Sequence, residues 1–81
     1  MNVTDTNSRM TAKDPGKVLL AGIVLLMHCR EKWKTKSTLV NHVVAKTGCS
    51  KEIAEEAFSQ AIADKYIKPH RRNNQIYWEA V

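Results

Sequence analysis

The feature that most restricts what this chain can fold into is the order of patterns between Ser37 and Trp78. Ser37 to Lys46 places Leu39, Val40, Val43 and Val44 at the i, i+1, i+4, i+5 spacing of one helical face. Thr47-Gly48-Cys49-Ser50 interrupts it. Gly48 suits the left-handed residue that ends a helix, and Ser50 suits the N-cap that begins the next. Helical spacing resumes from Lys51 to Lys65 with Ile53, Ala54, Ala57, Phe58, Ala61 and Ile62, and Tyr66 extends the same stripe. Ile67 to Ala80 then reads as a hairpin around Asn73-Asn74, a pair that tolerates the left-handed torsions of a tight turn. Alternation puts Ile76, Trp78 and Ala80 on one face and Tyr77 and Glu79 on the other, and Pro69 fits an edge strand.

Upstream, Asp14-Pro15 offers an N-cap acceptor followed by proline at the first helical position, so a helix is expected from there to about Lys32. Its apolar residues (Val18 to Ala21 and Ile23 to Met27) point in nearly every direction around the axis. A surface helix normally keeps one wet face. Here one dry face should pack on the two later helices, and the other is expected to meet a second copy of the chain through Leu19, Ile23 and Leu26. Cover by the N-terminal segment or the wing strand is the competing possibility. Trp33-Lys34-Thr35-Lys36 connects to the second helix, with Thr35 or Ser37 as its N-cap. Residues 1–13 are polar and aperiodic and read as a flexible arm, leaving 14–81 as the domain.

Composition narrows the function. An 81-residue chain can bury only a modest core, and self-association is a plausible source of further stability. Thirteen Lys and Arg against eight Asp and Glu favour a polyanionic partner. Val18 to Met27 is about half the length needed to span a bilayer, so no membrane partner is expected and the location reads as cytoplasmic or nucleoid-associated. Two cysteines twenty positions apart suggest reduced, packed thiols. Three histidines (His28, His42 and His70) show no zinc-module spacing, so no metal is expected. No phosphate-cradling glycine loop, HExxH or nucleophile–base motif is present, so neither catalysis nor a cofactor is expected.

The stretch Cys49 to Ile67 resembles the recognition helix and the start of the wing in the winged helix-turn-helix superfamily. Small and apolar residues recur there where Ile53, Ala57, Phe58 and Ile62 stand, and an aromatic–aliphatic pair like Tyr66-Ile67 opens the wing. The resemblance extends over Pro15 to Val81. It implies a mainly α fold with a small β-hairpin: three helices plus a C-terminal wing. It also implies duplex DNA as partner, often bound by dimers acting as transcriptional regulators, although other members bind only proteins.

One departure shifts the expected contact surface. The third helix carries Glu52, Glu55 and Glu56 outward with only Lys51 to offset them, and carboxylates aimed at a major groove repel phosphates. The positive charge lies elsewhere. DNA contacts are therefore expected from Lys34, Lys36, Ser37 and Lys51, and above all from the wing residues Lys68, His70, Arg71, Arg72, Asn73 and Asn74. Two wings contacting about six phosphates would give a salt slope near −5. A role in transcription regulation, or as an accessory in replication, partition or recombination, fits these residues. The alternative is a protein-binding winged helix that docks a partner through Glu52, Glu55 and Glu56.

Overall fold

The computed structural model describes residues 14–81; the arm expected over residues 1–13 lies outside them. Helix α1 spans Pro15–Glu31, α2 Lys36–Thr47 and α3 Lys51–Ala63, followed by strands β1 Ile67–Arg72 and β2 Gln75–Ala80. This is the expected mainly helical layout, a helix-turn-helix with a C-terminal wing. Each helix starts where the sequence supplies a cap. The Asp14 carboxylate accepts from the amides of Gly16 and Lys17, Thr35 Oγ1 from Thr38, and Ser50 Oγ from Ile53. Of the two N-caps open for α2, the chain uses Thr35.

The helix ends are equally local. Gly48 adopts φ 73° and donates its amide to Val44 O, closing α2. At the end of α3 the Tyr66 amide reaches Ala61 O and the Lys65 amide reaches Ile62 O, a Schellman arrangement with Lys65 left-handed at φ 62°. That turn corrects one expectation. The helical stripe stops at Ala61: Ile62 and Tyr66 are exposed, because the chain reverses before Tyr66 can follow the core face.

Val18, Ala21, Leu25 and Cys29 of α1 meet Leu39, Val40 and Val43 of α2 and Ile53, Ala54, Ala57, Phe58 and Ala61 of α3, with Ile67 closing the wing side. The fully buried side chains of greatest volume are Leu25, Leu39 and Val43. Each contributes about 1.5–3 kcal/mol relative to an exposed position. The three buried alanines of α3 keep that helix close to its neighbours. The outer side of α1 stays in water: Leu19, Leu20, Ile23 and Met27 are 66%, 51%, 48% and 61% exposed. Leu26, expected there too, is instead half-buried against the core. Among the described residues, no helix is long and apolar enough to cross a membrane.

The hairpin pairs Ile67 with Ala80 through to Arg72 with Gln75. Asn73 and Asn74 both have positive φ, 52° and 63°, as a two-residue type I′ turn requires. A third segment joins beside β2 from the α1–α2 connection, where Lys34 bridges Trp78. Trp78 spends its N–H and C=O on Lys34, so its pairing with Pro69 on the other side is of the non-hydrogen-bonded kind. The missing proline donor therefore costs the ladder nothing, and β1 is the edge.

Candidate nucleic-acid interface

Three elements converge on an open groove of about 700 Å³. The start of α2 supplies Thr35, Lys36 and Ser37, and Asn41 follows one turn later. The start of α3 supplies Lys51 and Glu55, and the wing supplies Asn74, Gln75, Ile76 and Trp78. Two helix N-termini thus face the same space, each bringing first-turn amides and the positive end of a helix dipole. Two ammonium groups line the groove against the single carboxylate of Glu55. Lys36 is held there in part by Phe58, with Nζ 5.3 Å from the ring centroid. Such a surface suits a phosphate backbone.

The basic residues that the sequence grouped together separate in space. Lys34 turns away from the groove: its Nζ donates to His28 O at 3.3 Å and Lys32 O at 2.9 Å. It caps the C-terminal end of α1, where a cation is favoured by the helix dipole. The wing cluster is divided by the strand alternation. Arg71, opposite Ile76, shares the hairpin face of Trp78, which packs edge-on against Phe58 at 5.0 Å. His70 and Arg72 occupy the other face with Tyr77, around Trp33. The Arg72 guanidinium lies 5.4 Å from the Trp33 ring centroid, and His70 Nδ1 lies 3.7 Å from Glu79 Oε2. Lys68, opposite Glu79, belongs to that second face as well. Of the residues proposed from sequence, Lys36, Ser37, Lys51 and Asn74 line one groove, and Arg71 shares the hairpin face turned toward it. Lys34, Lys68, His70 and Arg72 do not join them.

The glutamates of α3 divide too. Glu55 lines the groove, while Glu56 accepts from Gln60 at 3.2 Å and lines a recess beside Pro15 and Leu19 at the start of α1. The two carboxylates are about 100° apart on the helix, with Glu52 between them in direction, one turn earlier.

Thr35 and Gln75, read from sequence as a helix terminus open to a phosphate and as part of the wing tip, line the groove too, whereas sequence reasoning missed Asn41. The helical position of Asn41 was legible, but which elements would face one another was not. It also missed a ring stack between α1 and α2: His28 and His42 lie 3.6 Å apart and 5° from parallel. Burial, then His42, then Lys34 hold the His28 pKa below its ordinary value, with Glu31 at 3.6 Å opposing them. Cys29 donates its thiol to Trp78 O at 3.0 Å, and burial pushes its pKa up. Among the described residues no three His, Cys, Asp or Glu side chains form a metal-holding group. Comparison with protein-family models, curated proteins and solved structures finds no match to this chain.

Proposed function

We propose that this protein binds duplex DNA, seating a sugar–phosphate backbone in the groove between the N-termini of α2 and α3 and the wing. The observation that carries the reading is the convergence of Lys36, Ser37, Lys51 and Asn74, drawn from three separate elements, on one open surface that two helix dipoles also face. Arg71 extends that surface along the wing, and the basic balance of the chain favours a polyanion. Glu55 stands inside the groove and disfavours a phosphate at its own position, which restricts where the backbone can run. The role that follows is regulation of transcription, or an accessory part in replication, partition or recombination. A second copy docked on α1 would offer two such grooves to one duplex.

The test is fluorescence anisotropy with random duplex DNA over a range of salt. Submicromolar binding at low salt is expected, weakening as salt rises. Replacing Lys36 and Lys51 together by alanine should lower the salt slope by about 2 units, one for each phosphate left without its ammonium partner. Unchanged binding by that double variant would move the interface elsewhere. No binding at low salt would remove the DNA reading altogether.

A further inference from the structure

We infer that the bare side of α1 is the face on which two copies of this chain pair, with their first helices antiparallel. The inference does not depend on the nucleic-acid reading. Leu19, Leu20, Ile23 and Met27 form a contiguous apolar surface, each leaving about half or more of itself in water. Contiguous apolar patches of that kind mark interaction surfaces. From Val18 to Met27 the helix has no charge, so whatever covers it is apolar as well. The chain itself offers such a surface, and a two-fold contact needs a patch that complements itself.

Charge at the ends of the helix fixes the direction. Lys17 and Glu31 lie seven positions either side of Val24, about 10 Å along the axis in each direction. At 100° per residue both fall on the Leu20 edge of the apolar face rather than the Leu19 edge. An antiparallel pair related by a two-fold axis brings like edges together. Lys17 of one copy then meets Glu31 of the other, twice per dimer. A parallel pair would instead bring the Leu20 edge of one copy against the Leu19 edge of the other and leave Lys17 and Glu31 about 20 Å apart along the axis. Both side chains are at exposed positions in the single chain.

The Leu19 edge supplies room. A recess of about 230 Å³ runs between α1 and α3, lined in part by Gly22, Leu26, Ala61 and Tyr66. A Cβ built on Gly22 would meet no atom within 4 Å, so packing within the chain does not demand glycine there. Glycine in a helix interior is unfavourable. What it does here is keep the recess open for a side chain from the facing copy.

The experiment is sedimentation equilibrium of the full chain without DNA, read beside circular dichroism. The expected mass is twice the 9.2 kDa of the chain at tens of micromolar. Ile23→Asp should give the single-chain mass with unchanged helix content. Gly22→Leu, which fills the recess on a helix that accepts leucine better than glycine, should also weaken the pair while the fold persists. Lys17→Glu and Glu31→Lys should each weaken pairing by roughly tenfold, because a two-fold contact contains the ion pair twice, and the combined swap should restore it. A single-chain mass for the unaltered protein at hundreds of micromolar overturns the proposal. So does a dimer that survives Ile23→Asp, or one that the combined charge swap fails to restore. A monomer that pairs only after residues 1–13 are removed would assign the face to that segment, and would equally overturn the proposal.

Discussion

Lys34 and Trp78 exchange both of their backbone hydrogen bonds, at 3.1 and 2.7 Å, across 44 positions of chain. This rung ties the α1–α2 connection to the wing, and Cys29 adds a third tie by donating its thiol to the same Trp78 carbonyl. The indole completes the anchor by packing edge-on against Phe58. Trp78 is therefore a principal anchor of the wing on the helical body, beside Ile67 in the core and the rings packed around Trp33. Trp78→Ala should cost about 2–3 kcal/mol, below the usual range for a fully buried aromatic because the residue is only partly buried. In a domain of this size that is a fall in melting temperature of about 10 °C or more. A change of only a degree or two would show that the wing is held elsewhere.

The turn at the tip of the wing separates stability from binding. Asn73 and Asn74 both stand in the left-handed region, where asparagine is tolerated and glycine is unstrained. Asn74→Gly should raise stability by about 0.5 kcal/mol, a melting temperature higher by a few degrees. The same change deletes a side chain from the groove. DNA affinity should therefore fall while stability rises, and anisotropy beside thermal melting reads both signs in one variant. If the two moved together, the Asn74 side chain would have no part in binding.

Local chemistry made much of this fold legible. The caps at Asp14, Thr35 and Ser50, the left-handed Gly48 and the Asn-Asn turn each act within a few residues, so sequence alone exposes them. The Lys34–Trp78 rung joins residues far apart, and a single bridging residue has no alternation to read. The same limit explains the basic residues. Arg71 and Arg72 look like one cluster along the chain, yet strand alternation sends them to opposite faces. Lys34 and Lys36 look like a pair, yet the first caps α1 and the second lines the groove. Charge was visible in the sequence; the surface it belonged to depended on tertiary packing.

Burial of His28, with His42 stacked on it, makes stability depend on pH. The folded-state pKa of His28 is lowered, chiefly by burial, so the unfolded chain takes up a proton more readily than the folded one. Stability from this residue is complete above the ordinary histidine value near 6.5 and is lost as pH falls through it toward the folded value. Urea midpoints should therefore be lower at mildly acidic pH than at neutral pH. In His28→Gln, which keeps a polar side chain without the titration, the difference should shrink. An equal pH dependence in both proteins would place its origin in other groups.

Arg71 and Arg72 are neighbours in sequence and opposites in placement, which gives the groove its sharpest internal control. Arg71 shares the hairpin face of Ile76 and Trp78, two residues that line the groove. Arg72 lies over Trp33 on the far face. Arg71→Ala should weaken duplex binding and lower the salt slope by about 1, with little change in melting temperature. Arg72→Ala should do the reverse, leaving binding nearly intact while removing about 0.5–1 kcal/mol of cation–π stabilisation. Both variants carry the same change in net charge, so a difference between them cannot come from the overall field of the protein. Equal losses of affinity would mean that the chain attracts DNA by its basic balance alone, without the groove selecting which arginine matters.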